Sequence, residues 1–348
     1  MKILGIESSA DETAASVVKD GNNMLSNVIA SSLNLHEVYG GIVPEIAARS
    51  HIEVIIPVIE QALSDADSDW NDIDAIAVTN RPGLIGSLLI GVMTARTLAI
   101  VKKKPLFGVN HVLAHTYANF ITKTPLKGYT LNSKTPDFPA IGLIVSGGHT
   151  QLMLYKSPID YTLLGQTRDD AVGEAFDKVA KILGLPYPGG PSVSQAASNG
   201  NPTSIKLPKA KLENNYDFSF SGLKTAVLRA AQAAAGQDFT FPSTKLPAIL
   251  TDQQKADLAA SFQKTVNETL ADALEAAEKE FKPKSVLLAG GVAANQALRN
   301  EIESLIQAPL LCPDIKLCTD NAAMIASAAY YFKQQPDNPY KLAVIPSL

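Results

Sequence analysis

The chain has 348 residues, 46% of them hydrophobic and only 18% charged, which is ample material for an ordered core and excludes a disordered chain. Lys and Arg number 30 against 34 Asp and Glu, so the formal net charge of −4 excludes a whole-chain field that would recruit nucleic acid; such a partner needs a local patch. The two cysteines, Cys312 and Cys318, exclude a disulfide framework, and their spacing fits neither a zinc knuckle nor a redox CxxC pair, so they read as free thiols.

At about 100–200 residues per domain, the length predicts two domains or one bilobal unit. The first apolar stretch, KILGI, is followed at once by Glu7, Asp11 and Glu12, which argues against a signal peptide. Residues 2–6, 14–19 and 24–30 are β-rich runs separated by turn material, the pattern of a three-stranded antiparallel meander. Pro44 suits a first helical position, and Ile46, Ala47, Val54, Ile55, Val58 and Ile59 recur at helical spacing past Pro57, which predicts a kinked helix. Residues 73–79 and 105–109 are buried-strand runs flanking an apolar helix over 84–101, the order of a parallel crossover. That helix approaches membrane-spanning length, but Ser87, Thr94, Arg96 and Thr97 mark it as a buried core helix, so no membrane association is expected and the predicted location is cytoplasmic.

A stretch rich in Pro, Lys and Thr over 122–137 reads as a linker or surface loop, after which the pattern restarts. Residues 141–155 repeat the apolar run, small turn and apolar run of the N-terminus. A strand-like YTLLGQT follows, then helices over 171–183, 221–235 and about 253–280, a buried strand at 285–291 and a further helix. Two segments that each open with a hairpin and then alternate predict a duplicated α/β architecture with a cleft between the copies.

All five histidines lie in the first 149 residues, and His111 and His115 form HVLAH, whose four-residue spacing puts both imidazoles on one helical face. That is the geometry of a two-histidine metal site, or of an ordinary pair of capped or solvated histidines. No carboxylate lies between them, which disfavours zinc-protease chemistry. Asp320 in CTDNAAMIA is either a third ligand or the cap of the following helix. The glycine pairs in SGGH (Ser146 to His149), YPGGP and LAGGVAAN let backbone amides approach an anion, though hairpins use such pairs too, and none matches a P-loop or GxGxxG pattern. Glu7, Asp11 and Glu12 surround the first turn, as candidates for a cation or general base or as solvated turn residues. Asp177 is positioned to bind a substrate hydroxyl or to pair with Lys181. Lys102 to Lys104, Lys206, Lys209, Lys211 and Lys224 are candidates for a phosphate backbone, or solvated lysines.

The ordered set HVLAH, SGGHTQL, GEAFDK, YPGGP, FSFSGLKTA, LAGGVAAN and CTDNAAM, with GIESSADET and YGGIVPEIAARSHIE before it, resembles the tRNA N6-adenosine threonylcarbamoyltransferase family, once labelled O-sialoglycoprotein endopeptidases. The resemblance runs to about residue 330. It implies the duplicated actin-like, Hsp70-like and sugar-kinase-like (ASKHA, RNase H-like) α/β fold, with an N-terminal lobe over 1–121 completed by 320–348 and a second lobe over 122–319. It implies His111, His115 and Asp320 as ligands of one divalent transition metal, iron ahead of zinc. It also implies Ile144, Val145, Ser146, Gly147, Gly148, His149, Asp177, Gly190 and Asn295 as the site for threonylcarbamoyl-AMP. Ala10 stands where the family often has cysteine, which argues against an essential thiol there. Arg81 replaces a more usual glycine.

The implied reaction transfers the threonylcarbamoyl group to N6 of adenosine 37 in tRNAs that read ANN codons and releases AMP, with Asp11 as the base for the amine proton. The implied partners are the tRNA anticodon loop, a TsaB-like paralogue, a TsaE-like ATPase and a separate threonylcarbamoyl-AMP synthase. The same lobes and glycine turns would also suit an actin-like ATPase, a small-molecule kinase or a non-catalytic scaffold of a tRNA-modification complex.

Overall fold

The computed structural model describes residues 1–37, 39–332 and 335–347. In chain order the elements are β1 (Lys2–Glu7), β2 (Glu12–Lys19), β3 (Asn23–Met24), β4 (Val28–Ser31), α1 (Leu33–Glu37), α2 (Pro44–Asp65), β5 (Ala75–Arg81), α3 (Ile85–Lys102), β6 (Leu106–Asn110) and α4 (His111–Tyr117). There follow β7 (Ala140–Val145), β8 (Thr150–Tyr155), β9 (Tyr161–Gln166), α5 (Val172–Leu183), α6 (Gly189–Ala197), α7 (Ser221–Ala234) and α8 (Asp252–Phe281). The chain continues with β10 (Ser285–Ala289), α9 (Gln296–Leu305), β11 (Leu310–Leu311), α10 (Ile315–Cys318) and α11 (Ala322–Phe332).

One sheet runs β3-β2-β1-β5-β6, with β4 also paired to β2; the other runs β11-β10-β7-β8-β9. Read from the meander side, both follow one rule: third, second and first strand, then two later strands. In the first sheet β1 and β2 are antiparallel (Gly5 opposite Ser16), whereas β1–β5 and β5–β6 are parallel. This is the duplicated α/β arrangement that the two restarting patterns predicted, because each half begins with strands short enough to turn back and later strands that need a helical crossover.

The chain divides into two compact units: Met1–Asp137 with Leu287–Gly290 and Leu311–Leu348, and Phe138–Val286 with Gly291–Leu310. The first unit thus reaches residue 137 rather than 121, because the loop after residue 121 is tied back to it: Met24 N–H donates to the Lys123 carbonyl at 2.9 Å and Thr124 Oγ1 to the Met24 carbonyl at 2.7 Å. It also takes in residues 311–319, ahead of the expected 320.

In the first unit, Leu4, Ile6, Val17, Ile55, Ile59, Ile76, Val78, Val92 and Leu106 form the core between sheet and helices. Two expectations fail here. The run at 24–30 is not one strand: it breaks into β3 and β4, since Leu25 and Ser26 turn their amides to the Val17 carbonyl. And α3 is not a buried core helix. Ser87, Leu88, Gly91, Val92, Ala95 and Ala99 face the unit, but Ile85, Leu89, Met93 and Val101 are exposed, and only a third of the helix is buried. Its polar residues Ser87, Thr94, Arg96 and Thr97 are too few to mark the covered side, and one of them, Ser87, is itself buried.

In the second unit, α5, α6 and α8 pack together, with Phe176 edge-on to Phe262 at 5.0 Å. The 30-residue α8 starts at a capping box: Thr251 accepts from Gln254 N–H, and Gln254 returns the bond to the Thr251 amide.

Candidate metal centre and its surroundings

β6 ends in Asn110, whose side chain accepts from Leu113 N–H and caps α4, so the helix begins at His111 itself. The four-residue step then brings His111 and His115 within 4.8 Å, ring centre to centre. Asp320 meets both: its Oδ1 lies 3.4 Å from His111 Nε2 and 3.5 Å from His115 Nε2. It does not cap α11. That role falls to Asn321, whose Oδ1 accepts from Met324 N–H at 3.0 Å while its Nδ2 donates to the Leu317 and Thr319 carbonyls. With Asn321 at the cap, Asp320 turns its Oδ1 to the two histidines.

One ligand atom from each of His111, His115 and Asp320 lies within 4.8 Å of the other two, and both imidazoles are buried. Two imidazole nitrogens and one carboxylate oxygen are a donor set suited to a first-row divalent ion, so these residues could hold one. The electrostatics agree. Burial pushes the His111 imidazole down, but Asp320 and Glu7 on either side outweigh it and hold the group well above its ordinary value. Burial pushes the Glu7 carboxyl up, but the charge and hydrogen bond of His111, with the bond from Thr79, leave it below the ordinary value. The arrangement is an imidazolium between two carboxylates, and a divalent cation at Nε2 would take over that charge and release a proton.

The β1–β2 turn carrying Asp11 is braced from several elements. Leu84 N–H donates to the Ser9 carbonyl; Ser87 Oγ and His51 Nε2 donate to the Ala10 carbonyl; Ser32 gives both its N–H and its Oγ–H to the Asp11 carbonyl. Since a carbonyl only accepts, the His51 proton sits on Nε2, and Nδ1 takes a bond from Thr13 Oγ1 at 2.7 Å. Burial pushes His51 down, in keeping with a neutral ring. The neighbouring Glu12 is pushed up to about 9 by burial first, then by the hydrogen bond and charge of Asp11. Glu7 is fully buried, so the solvated-turn reading fails for it. Within the first unit His111 and His115 meet, whereas His36 and His51 are buried supports of the turn that carries Asp11; His149 belongs to the second unit.

In the second unit, β7 brings Ile144 and Val145 to the SGGH turn, closed by Ser146 N–H donating to the His149 carbonyl at 2.8 Å and His149 N–H to Ser146 Oγ at 3.1 Å. Gly147 and Gly148 are exposed, and a Cβ on either would meet nothing within 4 Å. The chain's own packing therefore does not demand glycine there. Asp177 accepts from Gly189 N–H at 2.7 Å at the start of α6, rather than pairing with Lys181. Gly190 follows in open space. Asn295 caps α9 through Oδ1 and donates from Nδ2 to Ser194 Oγ and Gln263 Oε1. Of the lysines, Lys209 is engaged with Glu268 and Asp272.

Comparison with known proteins gives the family of the chain. Residues 23–327 match the family model for tRNA N6-adenosine threonylcarbamoyltransferase. A relative of that name from Thermomicrobium roseum is 52% identical over 344 residues, covering 96% of this chain and 93% of its own; one from Symbiobacterium thermophilum is 51% identical, covering 94% and 91%. The chain belongs to the tRNA N6-adenosine threonylcarbamoyltransferase family. Its fold is also that of HypF from T. kodakarensis, with a TM-score of 0.59 at 14% identity over 95% of this chain and 48% of that one.

Family membership separates this chain from the kinase and ATPase readings that its sequence left open. Sequence reading named the three residues that cluster but missed the residues that support them: Ser9, Thr79, His51 and Asn321. The available signal was a charged or hydroxyl residue closing an apolar strand, as Glu7 closes β1 and Thr79 nears the end of β5.

Proposed function

We propose that this chain transfers the threonylcarbamoyl group of threonylcarbamoyl-AMP to N6 of adenosine 37 in tRNAs reading ANN codons, acting in the cytoplasm. The observation that carries the reading is the convergence of His111, His115 and Asp320 in a chain of this family. A divalent transition metal held by them, iron ahead of zinc as the family resemblance implies, would supply Lewis-acid polarisation and orientation of the donor.

The chain's own groups do the rest. The adenine amine attacks the carbamoyl carbon, the bond from that carbon to the phosphate oxygen breaks, and AMP leaves with the electron pair. The amine proton passes to Asp11, because Glu12 keeps its own proton at neutral pH. Ile144, Val145, Ser146, Gly147, Gly148 and His149, with Asp177, Gly190 and Asn295, bind the donor. The open faces of Gly147, Gly148 and Gly190 support this, since a turn without side chains lets backbone amides reach a phosphate or carboxylate. Adenosine 37 lies in the anticodon loop, so it can be splayed out without opening a duplex. A TsaB-like paralogue, a TsaE-like ATPase and a separate synthase complete the system.

The test is nucleoside mass spectrometry of tRNA from cells depleted of the protein and complemented with wild type or Asp320→Ala. Threonylcarbamoyladenosine is expected to disappear on depletion and to return only with wild type. Normal modification in depleted cells refutes the assignment, and full rescue by the variant refutes the role of the cluster.

A further inference from the structure

Glu7 ends β1, after the apolar run Ile3 to Ile6, with a carboxylate that solvent does not reach. Such a group has to be paired or neutralised, and both of its oxygens have fixed donors. Oε1 accepts from Ser9 N–H at 2.6 Å; Oε2 accepts from Thr79 Oγ1 at 2.5 Å and from His111 Nδ1 at 3.0 Å. The parallel pairing of β1 with β5, Ile6 beside Val78, is what brings Thr79 alongside Glu7. An ionised carboxylate has no proton to give, so the hydrogen of this bond sits on Nδ1 and the ligating lone pair of His111 is left on Nε2. Nε2 is the atom that faces Asp320. Ser9 Oγ, 3.1 Å from the same Nδ1, is a neutral and hence weaker acceptor.

We propose that Glu7 is the positioning residue of the metal centre: it fixes the tautomer and ring orientation that present His111 Nε2 to the cation, and it places a second negative charge behind that ligand. The inference rests on reading His111, His115 and Asp320 as metal ligands. The bond of Glu7 to Ser9 also links the ligand histidine to the turn that carries Asp11. Partners of this kind behind a ligating histidine set metal affinity by 10- to 100-fold, typically.

The test is Glu7→Gln in the full chain, which keeps the shape and one acceptor but removes the charge. The metal-free wild type and variant are titrated with Zn2+ against a competing chelator, with circular dichroism melting to establish that the variant folds. Wild type is expected to bind one equivalent, and the variant to bind about 10- to 100-fold more weakly. Wild-type affinity in the folded variant overturns the proposal. A second measurement needs no variant: long-range proton–nitrogen correlation spectra of Zn2+-loaded wild type should show His111 protonated at Nδ1 and ligating through Nε2, and ligation through Nδ1 overturns the proposal. Wild type that binds no Zn2+ sinks the ligand reading together with Glu7's role; wild type that binds while Glu7→Gln binds equally well sinks the role of Glu7 alone.

Discussion

Replacing Gly5 by alanine should disturb the His111, His115 and Asp320 cluster from a strand that carries none of its residues. Gly5 lies in β1 under α11, the helix that follows Asp320, and a Cβ there would press into the Ala322 carbonyl oxygen and come within 2.9 Å of Ala326 N and 3.0 Å of Ala326 Cβ. Two of these three neighbours are helix backbone, which cannot rotate aside. To restore ordinary contact with that oxygen, α11 has to retreat by about 1 Å. Overpacking of this kind costs about 1–3 kcal/mol, and the retreat carries Asp320 away from imidazoles that it meets at 3.4 and 3.5 Å. Gly5→Ala should therefore lower the melting temperature of the metal-free chain and also weaken Zn2+ binding in chelator competition. Adding Ala326→Gly relieves only the Cβ contact, so it should not rescue and should lose up to about 1 kcal/mol more of helix propensity. Unchanged melting and affinity in Gly5→Ala, or rescue by the double variant, would show that the backbone contact is not what sets the helix position.

Glu12 is held up to about 9 against an ordinary 4.5. Its contribution is thus fully present below about pH 4.5 and is lost as pH rises toward 9, by at most about 1.4 kcal/mol per pH unit. Glu12→Gln should flatten the denaturant-stability profile across that window; an unaltered slope counts against the shift. Asn321→Ala removes the α11 cap and two donated bonds, and a loss of about 1–2 kcal/mol in urea unfolding is expected, whereas a loss within error would mean that Asp320 can cap after all. Asp169 accepts from Ser219 Oγ, Ser221 Oγ and the Phe220 and Ser221 amides, and its carboxyl lies below the ordinary value because these bonds outweigh burial. Its stabilisation is present above about pH 3.8 and fades as pH falls below that, so Asp169→Ala should speed hydrogen exchange at Phe220 and Ser221 at neutral pH; unchanged exchange would refute its role in anchoring α7.

The sequence by itself determined the duplicated α/β class, because the hairpin-then-crossover pattern is written in local periodicity. It determined the pairing of His111 with His115 too, since helical spacing is a property of the chain's own geometry. It left Asp320 divided between cap and ligand: adjacent Asp320 and Asn321 are both good caps, and only the docking of α11 on β1 and α4 turns one inward. It could not assign a covered side to α3, whose apolar residues surround the helix, nor say that the loop over 122–137 is bonded to β3. Tertiary structure alone decided that Glu7 stands behind His111. That contact joins residues more than a hundred positions apart through the pairing of parallel strands, and it takes its strength from burial, which no local window of sequence encodes.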